Sequence, residues 1–260
     1  MRADSYLTAA GYTASRKKAQ DLIEAGAVKI DGVSVKKSAQ PVNEAIPHDV
    51  SIEPIFRYVS RGGMKLEAAL DAFGISVNRK KAVDVGASTG GFTDCLLQRG
   101  ASQVVAVDAG IGQLHESLRA DPRVRAVEHF NARELDLSVT DGYCDVAVAD
   151  VSFISQTYLI APIASVLVPN GIFVSLIKPQ FEAGRSALGK NGIVHNAAYR
   201  FLAVKRVIRA AEENGMDAVG LIRSPIEGGD GNKEYLAYFV KRNCVVPAID
   251  DKKIKYITAL

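Results

Sequence analysis

The sequence predicts an α/β fold: a Rossmann-like, doubly wound sheet, mostly parallel with an antiparallel edge strand, preceded by a small α+β module. Three observations lead there. From Lys81 onward, short apolar runs alternate with amphipathic helical stretches, the pattern of a parallel sheet covered by helices on both faces. A glycine-rich run, Gly86-Ala-Ser-Thr-Gly-Gly91, closes the first of those strands and opens a helix. Ahead of this pattern the chain reads differently, as two short helices and a hairpin. The expected division is a module over 1–56, a linker over 57–62 and the main domain over 63–260.

In the first module, Asp4 or Ser5 is expected to cap a helix that runs through Ala10 and ends at Gly11. A second helix follows, with Thr13 or Ser15 as N-cap, Ala19, Leu22 and Ile23 on one face, and Gly26 just past its end. Val28 and Ile30, then Val33 and Val35, alternate with polar residues around Asp31-Gly32, a strong hairpin signal. Pro41, Pro47 and Pro54 punctuate the exit, and the boundary falls between Phe56 and Gly62. Leu66, Ala69, Leu70 and Phe73 then mark an amphipathic helix.

Strands are expected at Ala82–Val85, Gln103–Asp108, Val124–Val127, Asp145–Asp150 and Ile172–Lys178. Helices are expected near Phe92–Arg99, Gly112–Ala120 and Gln156–Val168, with a longer one carrying Phe201, Val204, Val207, Ile208 and Ala211. Two last strands, Ala218–Ser224 and Tyr235–Lys241, have no helix between them and are expected to pair antiparallel at the sheet's edge.

Bulk properties exclude several classes. The 260 residues are 48% hydrophobic and 23% charged, a globular composition with a net charge of only +3. The charge is uneven: Arg16, Lys17, Lys18, Lys29, Lys36 and Lys37 outnumber Asp21, Glu24 and Asp31 within one short segment, which suits an RNA backbone. Cys95, Cys144 and Cys244 form no close pair, and the four histidines are scattered, which argues against a disulfide scaffold or a metal site. No apolar run approaches the roughly 20 residues of a membrane span, and no signal-peptide core opens the chain. A cytoplasmic protein is expected.

The glycine spacing is GxxxGG, not the GxGxxG of dinucleotide binders. A loop of that form suits a cofactor without a pyrophosphate. S-adenosylmethionine, with its zwitterionic methionine and sulfonium, fits. Asp84, Gly86, Ser88, Gly90, Gly91 and Phe92 are the candidate cofactor residues of this loop. Asp108, at the end of the second strand, can accept hydrogen bonds from both hydroxyls of a ribose.

Four polar residues stand where open α/β sheets perform chemistry: Lys65 before the first strand, Asp150 and Lys178 at strand ends, and Glu234 opening the last strand. The chain resembles the TlyA family, also called hemolysin A, in which an S4 RNA-binding domain precedes an FtsJ-like methyltransferase domain. The likeness runs through Ser15-Arg-Lys-Lys-Ala-Gln, Gly26-Ala-Val-Lys-Ile-Asp-Gly, Ser60-Arg-Gly-Gly-Met-Lys-Leu, Asp84-Val-Gly-Ala-Ser-Thr-Gly-Gly-Phe-Thr, Ala149-Asp-Val-Ser-Phe-Ile, Leu176-Ile-Lys-Pro-Gln-Phe-Glu and Gly231-Asn-Lys-Glu. Where some members carry Trp in the interdomain linker, this chain has Tyr58. The resemblance implies a catalytic tetrad of Lys65, Asp150, Lys178 and Glu234, and 2′-O-methylation of cytidine in ribosomal RNA, without a metal. RNA contact is expected from Arg16, Lys17, Lys18, Lys36 and Lys37, on free rRNA or ribosomal subunits. The rival readings are a catalytically silent RNA-binding scaffold, an oxidoreductase, which the glycine spacing disfavours, and a membrane-active cytolysin, for which no insertable segment is found.

Overall fold

The computed structural model describes residues 1–24, 26–52, 57–228, 231–242 and 249–260. Pro54, Phe56, Gly229, Asp230 and Cys244 lie outside them. The chain divides into two compact units, Met1–Arg57 and Tyr58–Leu260.

The first unit holds α1 (Ala3–Ala9), α2 (Arg16–Glu24), β1 (Val28–Ile30), β2 (Val33–Ser34) and β3 (Val50–Ile52), its strands paired antiparallel in the order β2-β1-β3. Ile30 faces Val33 across a two-residue turn whose Asp31 and Gly32 take φ of 52° and 75°. Positive φ at both positions is what a type I′ hairpin demands. Ser15 Oγ accepts the Lys18 N–H at 3.2 Å, capping α2. Asp4 is not the cap of α1, which starts at Ala3 behind Arg2. Its carboxylate turns inward instead, to Arg2, Arg16 and Gln20. The strand β3, three residues long, has too few positions to show alternation and was not expected.

The second unit runs α3 (Gly62–Phe73), β4 (Lys81–Val85), α4 (Gly91–Gln98), β5 (Gln103–Val107), α5 (Glu116–Arg119), β6 (Val124–Val127), α6 (Leu137–Thr140), β7 (Cys144–Ala149), α7 (Ile160–Val166), β8 (Leu167–Ile177), α8 (Pro179–Glu182), α9 (Ala197–Glu213), β9 (Met216–Arg223), β10 (Tyr235–Lys241) and α10 (Asp251–Ala259). The sheet order is β6-β5-β4-β7-β8-β10-β9. Only β10 runs against its neighbours, between β8 and the edge strand β9. Successive strand residues feed opposite cores: Val83 and Val85 of β4 join the cluster with α7, α9 and α10, while Ala82 joins that of α3 and α4.

Four expectations change. Tyr58 is buried and its hydroxyl donates to Glu67 at 2.9 Å, so the stretch expected as a linker over 57–62 is packed into the second unit from Tyr58 onward. The helix expected over Gly112–Ala120 shrinks to Glu116–Arg119, since Gly112 takes a φ of 67° and His115 caps the turn. The helix expected over Gln156–Val168 splits into a 3-10 turn (Gln156–Tyr158) and α7, and gives way to β8 at Leu167. The terminal α10 was not expected; Ile254 and Ile257 anchor it in the core, and the buried Arg200 donates to its Thr258 carbonyl. No helix of the described residues is long and apolar enough to cross a membrane.

Candidate active site

The strand order reverses between β4 and β7, and such a switch point opens a crevice at the strands' carboxyl ends. Two cavities sharing Gly86, Ser88, Asp150 and Ser152 lie there. One, of about 430 Å³, is mainly apolar, with Val107, Phe130, Val151, Phe153, Ile154 and Leu159 in its wall beside Asp108. The other, of about 320 Å³, is polar and holds Lys65, Asp150, Lys178 and Glu234 together with Ser60, Arg61, Gly91 and Phe92.

The glycine loop shapes the first cavity. Gly86 takes a φ of +83°, and a Cβ there would lie 2.7 Å from the Asp150 carbonyl, so only glycine lets β4 and β7 approach so closely. Ser88 donates its N–H to Asp108 Oδ2 at 2.8 Å, and Gly110 donates to Oδ1 at 2.7 Å. Each of those oxygens keeps a further lone pair for a ligand hydroxyl. Asp84 and Gly90, both expected to touch a cofactor, line neither cavity. Gly90, with φ +99°, serves packing: a Cβ there would meet Leu118 Cδ1 at 2.3 Å.

Asp84 is fully buried beneath the loop. Its Oδ2 accepts the Thr93 hydroxyl at 2.7 Å, while its Oδ1 has no hydrogen-bond partner. Burial pushes its carboxyl up to about 7, with the neighbouring Asp150 and Asp108 charges adding to the rise and Thr93 opposing it. A buried acceptor left over beside a nucleoside-sized cleft suits a ligand that brings a cation, such as the ammonium of an amino acid.

The polar cavity contains two lysine–carboxylate pairs. Lys65, on the second turn of α3, donates to Glu234 Oε2 at 2.6 Å, although 169 residues separate them. Lys178 follows β8 and lies 2.6 Å from Asp150 Oδ1, just beyond β7; it also donates to Ser152 Oγ at 2.8 Å. All four candidate tetrad residues therefore meet in one cavity. Among the described residues no group of three or more His, Cys, Asp or Glu is arranged to hold a metal ion.

Sequence reasoning missed Ser152, Phe130 and Arg61. Ser152 stands inside the Asp150-Val-Ser-Phe motif, and Phe130 follows the third strand, so position at a strand's carboxyl end was the signal available. Of the basic candidates, Arg16 pairs with Asp4 at 3.2 Å and Lys17 with Asp21 at 3.2 Å; Lys18, Lys36 and Lys37 are exposed.

The FtsJ-like methyltransferase family matches residues 58–241 and the S4 domain matches residues 1–45. A hemolysin A from Brachyspira hyodysenteriae is 44% identical over 92% of this chain and all of its own length. The 16S/23S rRNA (cytidine-2′-O)-methyltransferase TlyA of Mycobacterium tuberculosis is 43% identical over 91% of this chain and 88% of its own. Among solved structures, a candidate hemolysin from Streptococcus thermophilus superposes with a TM-score of 0.79 at 39% identity, covering all of this chain and 94% of that one.

Proposed function

This chain belongs to the FtsJ-like methyltransferase family and carries an S4 domain, and on that premise we propose that it transfers a methyl group from S-adenosylmethionine to the ribose 2′-hydroxyl of a cytidine in ribosomal RNA. The observation that carries the reading is the meeting of two lysine–carboxylate pairs, each at 2.6 Å, in one cavity that opens onto a nucleoside-sized cleft.

S-adenosylmethionine supplies a methyl group on a sulfonium, an activated leaving group that calls for no metal. Asp108 would accept from the cofactor's ribose hydroxyls, Val107, Phe130 and Ile154 would enclose its base, and the backbone at Gly86 would receive the amino end, with the unpaired Oδ1 of Asp84 buried beneath the loop to favour its positive charge. Ser88, Gly91 and Phe92 complete the loop's inner wall.

A 2′-hydroxyl is a poor nucleophile and must lose its proton as it attacks. Lys178 is the base. Asp150, 2.6 Å away, orients its side-chain nitrogen. Lys65 stabilises negative charge growing on the oxygen, and Glu234 fixes Lys65 in place. The S4 unit, with Arg16, Lys17, Lys18, Lys36 and Lys37, binds the RNA backbone, and the setting is the cytoplasm, where ribosomal subunits are found.

Purified protein incubated with tritiated S-adenosylmethionine and unmodified bacterial ribosomal subunits tests the reading. Label in RNA that survives alkaline cleavage at the modified ribose is the expected result, and the labelled subunit identifies the target. Measurable cofactor binding with no label on either subunit would refute it.

A further inference from the structure

We propose that Glu182 is a positioning residue that clamps the irregular segment after β7 against the segment carrying Lys178, and thereby sets the spacing of Asp150, Ser152 and Lys178. The proposal rests on the methyl-transfer reading above.

The segment from Val151 to Ser155 has no regular secondary structure, yet it supplies much of the site. Ser152 accepts from Lys178, and Val151, Phe153 and Ile154 form one wall of the apolar cleft. Phe153 is strained: it takes a φ of 65° with its ring 91% exposed, a conformation a bulky residue adopts only when its surroundings enforce it. Something must therefore hold the segment at both ends. At its start, Asp150 donates its N–H to the Val85 carbonyl at 3.1 Å.

At its far end the holder is Glu182, the last residue of α8. Its Oε2 accepts the Ser155 hydroxyl at 2.5 Å and its Oε1 accepts the Gln156 N–H at 2.7 Å. Gln156 adds a second tie, donating its side-chain amide to the Leu176 carbonyl at 3.0 Å, two residues before Lys178. Arg206 of α9 fixes the clamp from behind by donating to the Glu182 carbonyl at 3.1 Å. The carboxylate is 2% exposed, lines neither cavity and, among the described residues, forms no ion pair within bonding distance. Burial pushes its carboxyl above the usual range, with the two hydrogen bonds and the Arg206 charge opposing. Arg206 is the cation nearby, but it bonds the Glu182 backbone carbonyl and not the carboxylate, and a buried carboxylate without a direct ion pair is costly. Two adjacent donors on one segment, each met by a different oxygen of one carboxylate, give that cost a purpose. The residue reaches no substrate atom and acts through the loop it holds.

The test compares the whole protein with its Glu182→Ala, Glu182→Asp and Glu182→Gln variants in two readouts. The first is kcat for methyl transfer at saturating cofactor and RNA. The second is amide hydrogen exchange over residues 150–157. Ala removes both acceptors and Asp is too short to reach both donors, so kcat should fall about ten- to hundredfold in each, with faster exchange at Gln156. Gln should keep kcat within about threefold of the parent. Its oxygen still accepts from the Gln156 N–H, and its amide donates to Ser155, whose hydroxyl can turn to Thr157 Oγ1 at 2.8 Å. Parent-like kcat and exchange in both Ala and Asp would overturn the proposal, as would a Gln variant as impaired as Ala. Should Ala fail to fold, Asp against Gln decides alone. Should the parent itself transfer no methyl to rRNA, the functional reading fails, and the exchange of Gln156 still decides the clamp.

Discussion

Asp4 and Asp84 stand in different units of the molecule, and both have no exposed surface. Their carboxyls nevertheless titrate in opposite directions. The Arg2 guanidinium, helped by Gln20 and Arg16, holds Asp4 far below the usual range against the opposing effect of burial. Asp84 has Thr93, through its hydroxyl and its backbone N–H, and, among the described residues, no cation; burial raises it to about 7. Burial by itself does not decide the charge of a carboxylate; the partners do. Asp4 has found its cations within the fold and serves the fold. Asp84 has one oxygen unmatched beneath the glycine loop, which fits the proposed role of a group that meets a ligand's cation.

The contrast is sharpest under Asp→Asn substitution. Asp84→Asn should weaken S-adenosylmethionine binding by roughly ten- to hundredfold, the worth of a charge-assisted hydrogen bond, as read by calorimetry. It should also stabilise the ligand-free protein at pH 8. A group whose folded pKa lies above its unfolded value of 3.8 gives up stability as pH rises from about 4 to about 7, and none of that loss is recovered above. A cationic partner lowers the Asp84 pKa, so cofactor binding near pH 7 should release a proton and tighten as pH increases. Binding that is unaffected by the substitution and flat between pH 6 and pH 8 would end the comparison.

Asp4→Asn should do the reverse. Cofactor affinity should be untouched, while the melting temperature of the S4 unit drops by several degrees. The folded pKa of Asp4 is depressed, so its contribution is present above about pH 4 and is lost as pH falls further, through the folded value. Thermal scans at pH 7 and at acid pH would show a difference between parent and variant that narrows in acid.

A smaller effect separates the basic residues. Lys18 has no ion partner among the described residues, whereas Arg16 is shared with Asp4. Lys18→Ala should lower the salt slope of RNA binding by about 1 with no change in stability. Arg16→Ala should lower both. Filter binding over a salt series, beside a melt, distinguishes them, and equal slopes in parent and Lys18→Ala would remove Lys18 from the interface.

Much of this was readable in advance because it depends on local pattern. The strand–helix alternation, the Asp31-Gly32 hairpin and the glycine loop each follow from residues close in sequence. The elements that escaped are those whose signal is short or supplied by tertiary contact, such as β3, the broken α5 region and α10. The site divides the same way. Asp108 could be placed from its strand end, and Lys65 and Glu234 singly from their places in the pattern, but that these two, 169 residues apart, act in one group came from the family resemblance. Nothing in the local sequence says that Asp84 faces inward or that Glu182 grips Ser155 and Gln156. Those facts belong to packing.

Methyl transfer by Lys178→Ala, measured in single turnover with cofactor affinity alongside, tests the catalytic assignment most directly. The predicted result is a rate lower by about a thousandfold or more with the dissociation constant for S-adenosylmethionine little changed, and the same for Lys178→Arg, whose guanidinium does not give up its proton. A Lys178→Ala protein that methylates ribosomal RNA at the parent rate would contradict it.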